Sequence, residues 1–555
     1  MSNEKTPAEK LSHPAYRADI DGLRAISVLS VVFFHAFPQA IPGGFIGVDV
    51  FFVISGFLIS KIIFDNIESN KFEFLVFYKR RVLRIFPSLF LSLIFVLIIG
   101  WSTLISDEYE QLGKHVAAGA AFISNFVLSS ESGYFDTSAE AKPLLHLWSL
   151  GIEEQFYLIW PLAVWAVMKL RWRTSALIAA VILISFGLNI FGIASRPVHT
   201  FYAPQARFWE LLAGSALAWA STHRPRDGWF VWPANHDWSA SKDLVSLVGL
   251  ALILGPVLFF SKNLLFPGGW ALLPVLGAVL LIASGERAWV NRNILAQRAA
   301  VWFGLISFPL YLWHWPLLSY GRILEGDTPV VSFRVGAIVC AVLFAWLCYR
   351  FVERPLRSSP RSSAAAIGLC VLMTATGATG YYIYRNDGLA DRKINLINGN
   401  QEAFDWRADH IQSDACRVFV GKRKLPYCLQ SSDRKPTVAL LGDSHGNALF
   451  PFFDQFFAKR QQGVLMLGSA GCPPFLNVDR DGFSCKKVTP VAVEYVAQDP
   501  SITDVYLTGR FAAVENGTYS IKSTERPQTM DRRAIFKDSL EATIKKLADA
   551  KKKRG

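Results

Sequence analysis

Residues 16–60 read YRADIDGLRAISVLSVVFFHAFPQAIPGGFIGVDVFFVISGFLIS. Two apolar runs, 23–37 and 45–63, flank a Pro-Gly-Gly turn. Each approaches the roughly 20 residues that a helix needs to cross a bilayer. His35 sits inside the first run, where an ionisable group is costly and marks a functional site by default. The alternative is a buried histidine hydrogen-bonded to a neighbouring helix, and the residues alone leave both open.

Working outward, 52% of the 555 residues are hydrophobic and the mean hydropathy is +0.29, which excludes an ordinary soluble protein. The apolar runs end near Tyr384, and a polar, mixed sequence follows. Spans are expected at 22–38, 45–64, 86–106, 146–169, 174–194, 206–222, 243–261, 270–285, 300–320, 331–350 and 364–384. This amounts to about 10 spans plus one linking span. The stretch 116–127 is too short to count. Cationic groups follow the second span (Lys71, Lys79, Arg80, Arg81, Arg84) and every second span after it, from Arg171 and Arg173 to Arg350, Arg354, Arg357 and Arg361. The positive-inside rule then puts the N-terminus in and the C-terminus out. The net charge of +13 is explained by these loops. No nucleic-acid-binding signature accompanies it. Arg80, Arg81 and Arg84 suit either topology anchoring or the phosphates of a charged donor.

The opening Arg17, Asp19, Asp21, Gly22 and Arg24, with His35 and the run GVDVFFVISGFLI at 47–59, resembles the hallmark motifs of the acyltransferase-3 family. Later segments resemble its further motifs in order: PLLHLWSLGIEEQFYLIWP (143–161), FYAPQARFWELLAG (201–214), SFPLYLWHWPL (307–317) and YRFVERPLR (349–357). Read from residues alone, Trp313, His314 and Trp315 would equally suit an interfacial aromatic belt. Arg207 and Glu210 would suit a pair within the bundle, and Glu353 with Arg354 a helix end. The resemblance covers roughly residues 14–357. It implies transfer of an acyl group, most often acetyl, from cytoplasmic acetyl-CoA as donor substrate, with no bound cofactor. His35 would be general base or acyl relay. Arg17 and Arg24 would orient it or bind the donor, with Asp21, Arg81 and Arg84 in support. Glu154 and Arg207 would line the same polar cavity, and Glu210 and His314 are further supporting or donor-binding candidates.

Beyond a linking span and polar linker (358–435), residues 436–555 alternate strand-like and helix-like runs, which suggests a parallel α/β sheet. Strands are expected at 437–441, 464–467 and 504–507, and a lysine-rich amphipathic helix at 536–552. The first strand ends in Gly442-Asp443-Ser444-His445, where such folds expose a nucleophile on a sharp turn. It resembles the SGNH hydrolase family in its membrane-fused branch, with Ser444 as nucleophile and Gly471 as an oxyanion candidate. That family's Asp-x-x-His is missing, because His445 is the last histidine. The expectation is therefore a domain truncated at its C-terminus. Cys416, Cys428, Cys472 and Cys485 suit two disulfides in an oxidising compartment. Of three pairings the expected one is local, 416 with 428 and 472 with 485, and four free thiols are the alternative. No His/Cys cluster suggests a metal site.

The combined expectation is an O-acyltransferase of the bacterial inner membrane, moving acetyl from acyl-CoA to a periplasmic glycan such as lipopolysaccharide O-antigen. Peptidoglycan is the second acceptor considered. A transporter with an appended binding domain is the competing class, disfavoured by the lack of an internal repeat. A non-catalytic sugar-binding C-terminal module is a third.

Overall fold

The computed structural model describes residues 16–131, 139–223, 239–261, 264–325, 328–397, 427–431, 434–469, 471–480, 485–511, 521–525 and 531–552. The chain divides into two compact units, Met1–Leu396 and Ile397–Gly555.

The first unit is helical: α1 (Ala18–Ala36), α2 (Gly47–Glu68), α3 (Phe74–Thr103), α4 (Ser106–Ala120), α5 (Ser124–Glu131), α6 (Leu147–Lys169), α7 (Thr174–Ser195), α8 (Pro197–Tyr202), α9 (Pro204–Thr222), α10 (Ser239–Phe259), α11 (Leu272–Ser284), α12 (Arg298–Leu305), α13 (Ser307–Glu325), α14 (Val331–Leu347), α15 (Arg354–Ser358) and α16 (Ser362–Arg385). Every expected span is helical, the 300–320 span as two helices, α12 and α13. Six of them, among the described residues, are long and apolar enough to cross a membrane, or seven if α12 and α13 form one broken span bent by 68°. That is fewer than the expected eleven. The difference lies in α1, α6 and α9, which carry charged side chains within the helix, and in α11, which has 13 residues. Several apolar helices of this kind fit a multi-pass membrane protein.

Two expected boundaries move. The helix α3 begins at Phe74 rather than near residue 86, so Arg80, Arg81 and Arg84 lie on its first turns instead of in a loop. The 331–350 run ends in a π-helical turn, Cys348–Glu353. Residues 116–127 close α4 and open α5; α4 packs on α16, and its 15 residues reach only about 22 Å.

Small residues bring the central helices together, as lipid-embedded bundles require. A Cβ on Gly56 of α2 would stand 1.8 Å from the Leu211 carbonyl oxygen of α9, and one on Gly214 would stand 2.0 Å from that of Val53. The contact is reciprocal, so neither glycine tolerates a side chain. Ser60 donates to Ser215 at 2.7 Å across the same seam. At the bundle edge, Glu131 on α5 gathers Lys114 (2.7 Å), His115 (3.1 Å) and Lys142 (3.0 Å).

The second unit holds a four-stranded sheet in the order β1-β3-β2-β5. Its strands are β1 (Tyr427–Gln430), β2 (Pro436–Gly442), β3 (Gly463–Gly468) and β5 (Asp504–Thr508). The three expected strands are present and pair in parallel, β3 and β5 flanking β2. An antiparallel edge, β1, joins β3; it lies in the stretch read as linker, with Tyr427, Cys428 and Leu429 buried. A separate antiparallel pair, β4 (Val478–Arg480) with β6 (Ile521–Ser523), makes the unit mixed rather than purely parallel. Helix Arg532–Lys552 covers the lysine-rich stretch. Cys472 and Cys485 are bridged as expected. Cys428 is disulfide-bonded; its expected partner Cys416 lies outside the described residues.

Burial alone would raise the Glu131 carboxyl, yet hydrogen bonds and charge from His115, Lys114 and Lys142 hold it well below the usual carboxylate range. A depressed folded pKa stabilises above the unfolded value of about 4.3 and is lost as pH falls through the folded one. Glu131→Gln is therefore expected to lower the melting temperature at neutral pH, and the gap from the unaltered protein should close as pH drops below about 4. A constant gap would contradict the ion cluster. Asp443 caps helix Ser444–Ala458 by accepting from the His445 amide at 2.9 Å, and its other oxygen accepts from the Arg510 amide at 3.2 Å. Asp443→Ala should destabilise the second unit by about 1–2 kcal/mol or more, read by denaturant unfolding of the full chain.

Candidate active site

Among the described residues, two cavities of the helical unit carry most of the candidate side chains. The larger, about 600 Å³, is lined at its charged part by Arg17, Asp21, Arg24, Arg81, Arg84 and Arg357, with Glu153, Glu154 and Glu353. The smaller, about 320 Å³, is lined by His35, Asp49, His146, Arg207 and Trp315 among apolar and aromatic groups. Val48 and Tyr311 line both, so a thin septum separates an arginine-rich chamber from a histidine-bearing one.

The septum is hydrogen-bonded. Tyr311 donates to the His146 carbonyl at 2.8 Å. Its oxygen therefore accepts from the Ser149 hydroxyl at 2.7 Å.

His35 lies in the last turn of α1. The carbonyls left over at that helix end are met by arginines: Arg322 donates to His35 O at 3.3 Å and Arg334 to Ala36 O at 2.7 Å. His35 Nδ1 is 3.0 Å from His314 Nε2, the two rings stack with centroids 5.2 Å apart, and the Trp315 ring lies at 4.4 Å. Trp313, His314 and Trp315 are 8%, 0% and 3% exposed, so they are core rather than an interfacial belt. A 68° bend precedes α13, the helix that carries this segment.

His146, at 2% exposure, has its ring 5.8 Å from that of His314. Neither of its nitrogens has a hydrogen-bond partner of good geometry among the described residues. Arg207 bridges Asp49 (3.1 Å) and Glu210 (2.9 Å). The faces of Phe52, Trp148, Phe201 and Phe266 surround its guanidinium at 5.5–5.8 Å.

In the larger chamber Arg17 holds Asp19 and donates to Ile282 O at 3.1 Å, and Asp19 also accepts from Asn291 at 2.8 Å. Asp21 accepts from Arg24 at 3.2 Å and Tyr16 at 3.0 Å. Glu153 accepts from the hydroxyls of Ser55 and Tyr157. Glu353, on the π-helical turn, accepts from Ser88. Arg81 Nε and Glu154 Oε1 are buried without a hydrogen-bond partner among the described residues. Such orphans in a cavity wall mark where a polar ligand would bind.

The structure thus brings His35, Arg207, Asp49 and His314 together. It places Glu154 with Arg17, Arg24, Arg81 and Arg84 in the other chamber. His146 and Glu154, two turns apart on the sequence, face different cavities. Arg17 and Arg24 line the larger chamber and His35 the smaller. Glu153, Tyr311, Ser149 and Arg357 escaped notice as site residues. A hydroxyl or carboxylate in an apolar run was the available signal for the first three.

In the second unit Ser444 opens a helix directly after β2. The turn aims His445 at its neighbour: its Nδ1 is 3.3 Å from Asp443 Oδ1, and its side chain is 51% exposed. Gly471 has a φ of +65° and its carbonyl accepts from Arg480 at 3.0 Å. Asn447 Oδ1 and Thr508 Oγ1 are buried without partners among the described residues.

Comparison with known proteins agrees with this division. Residues 17–390 match an acyltransferase domain, and residues 410–554 match an SGNH domain of the kind fused to such domains. The chain is 31% identical over 365 residues to a peptidoglycan O-acetyltransferase of Listeria monocytogenes, covering 62% of this chain and 56% of that protein. It is 32% identical over 374 residues to a putative peptidoglycan O-acetyltransferase of Bacillus subtilis, covering 63% and 56%. A putative O-acetyltransferase of Staphylococcus aureus is 31% identical over 364 residues, covering 62% and 57%. The chain thus matches little more than half the length of these relatives. No solved structure matches it. A helical bundle whose two chambers meet at Val48 and Tyr311, a serine on a strand-to-helix turn and a family match spanning residues 17–390 together place the chain in the acyltransferase-3 family, fused to an SGNH domain.

Proposed function

We propose that this chain is a membrane O-acyltransferase that moves an acyl group, acetyl in the first instance, from acyl-CoA to a hydroxyl of a cell-surface glycan. One observation carries the reading: an arginine-rich chamber and a histidine-bearing chamber meet at Val48 and Tyr311. The donor is polyanionic and cytoplasmic, the acceptor lies outside, and the thioester must meet the hydroxyl between them. Arg24, Arg81, Arg84 and Arg357 would hold the CoA phosphates, for which guanidinium geometry is suited. The pantetheine arm would pass Tyr311 and present its thioester to His35. There the imidazole would take the acceptor's hydroxyl proton as oxygen attacks the carbonyl, and the proton would leave with the CoA thiol. His146, buried with orphan nitrogens, would bind a polar atom of the acyl group or acceptor.

In this reading the arginine chamber faces the cytoplasm of a bacterial inner membrane, and the SGNH domain lies in the periplasm, where disulfides persist. Ser444 would take the acyl group from the ester formed at the first acceptor, freeing that hydroxyl, and pass it to the glycan, each transfer trading one ester for another. Two relatives carry peptidoglycan in their names, so peptidoglycan stands beside lipopolysaccharide O-antigen as acceptor, and acetyl analysis of each glycan separates them.

Membranes carrying the full chain, supplied with labelled acetyl-CoA, should acetylate the glycan. His35→Ala should lower the rate by about 10²-fold or more while the protein stays in the membrane. Arg81→Ala and Arg84→Ala should each raise KM for acetyl-CoA about 10-fold, as loss of one charge-assisted hydrogen bond predicts. Ser444→Ala should reduce glycan acetylation. Undiminished transfer by His35→Ala overturns the proposal.

A further inference from the structure

The hydrogen bonds around His314 determine which nitrogen of His35 is basic. His314 Nδ1 is 3.2 Å from the Leu310 carbonyl oxygen. A carbonyl only accepts, so this nitrogen carries the proton. In the neutral ring the lone pair then lies on Nε2, which is 3.0 Å from His35 Nδ1. His35 must donate there. Its own lone pair is thereby left on Nε2, on a ring that lines the smaller cavity.

We propose that His314 is a positioning residue that holds His35 in the Nδ1–H tautomer, so that Nε2 is the nitrogen offered to substrate. The catalytic half of this inference rests on the acyl-transfer reading above; the tautomer half does not.

The surroundings keep the relay rigid. His314 is fully buried and sits on α13, while His35 sits on α1. Their rings are nearly parallel, 10° apart, and Trp315 closes one side of His35. Trp315 is itself anchored, donating to the Lys142 carbonyl at 2.8 Å. A general base must present its lone pair to the proton it removes, and a ring free to exchange tautomers would present N–H part of the time. Fixing the tautomer through the second ring nitrogen is the usual way a protein solves this.

The test uses the full chain, labelled with ¹⁵N-histidine and reconstituted in bilayers; the His35 signals are identified by their loss in His35→Ala. The expected result is a protonated Nδ1 and an unprotonated Nε2 on His35. His314→Leu, which keeps bulk but removes the acceptor, should shift His35 to Nε2–H. It should also lower kcat for acetyl transfer by about 10²-fold with KM for acetyl-CoA little changed. His314→Gln places an amide oxygen near the former Nε2, and should restore the tautomer and part of kcat. Finding Nε2–H in the unaltered protein, or an unshifted tautomer in His314→Leu, overturns the inference. A purely structural role for His314 would not produce rescue by Gln. If the unaltered chain transfers no acyl group, the reading of function fails, and the tautomer measurement still decides the positioning.

Discussion

A guanidinium shut away from water must find opposite charge, and Arg207 does so at 1% exposure. It ties Asp49 on α2 to Glu210 on α9 inside a box of four aromatic rings. Removing one partner of such a cluster leaves a buried charge uncompensated, at a cost of about 3–5 kcal/mol. The seam between Gly56 and Gly214 brings the two backbones close enough for this bridge. Because Asp49 and Arg207 also line the smaller cavity, the same constraint shapes the chamber in which His35 sits.

The irregular parts of the helices follow from the same economy of polar groups. Regular helices satisfy every backbone group internally, but they present side chains only along fixed stripes. The bend between α12 and α13 redirects the segment that carries Tyr311 and His314. The π-helical turn at Cys348–Glu353 points Glu353 to Ser88 and the larger chamber, and the one at Asn291–Leu295 brings Asn291 to Asp19. Single π-helical turns inside α-helices are frequent at functional sites. Arg322 and Arg334, which lie apart from the cationic loops, are committed to capping the end of α1.

The second unit solves a smaller version of the problem. Asp443, fully buried, binds two backbone amides on different segments. It thereby clamps the turn that carries Ser444 to the loop after β5. The sequence marks this turn by an apolar strand ending in glycine, and it marks the strands on either side by their short apolar runs. The flanking strands β1, β4 and β6 lack such marking, since three- and four-residue pairs gain their order from the partner rather than from their own pattern.

Residue order alone determined that the long apolar runs are helical, that the chain divides into a lipid-compatible and an α/β part, and that His35 and Ser444 occupy positions where chemistry is expected. Those facts depend on local hydropathy and on neighbours within a turn or two. Tertiary structure decided the grouping: His35 meets His314 across 279 residues of chain, and Glu154 and His146, eight residues apart on one segment, open into different chambers. Periodicity assigns a side chain to a face of its own helix. Only the packing of that helix against others decides what the face looks into, and here the packing follows from close glycine contacts, buried ion pairs and bends that no one-dimensional pattern encodes.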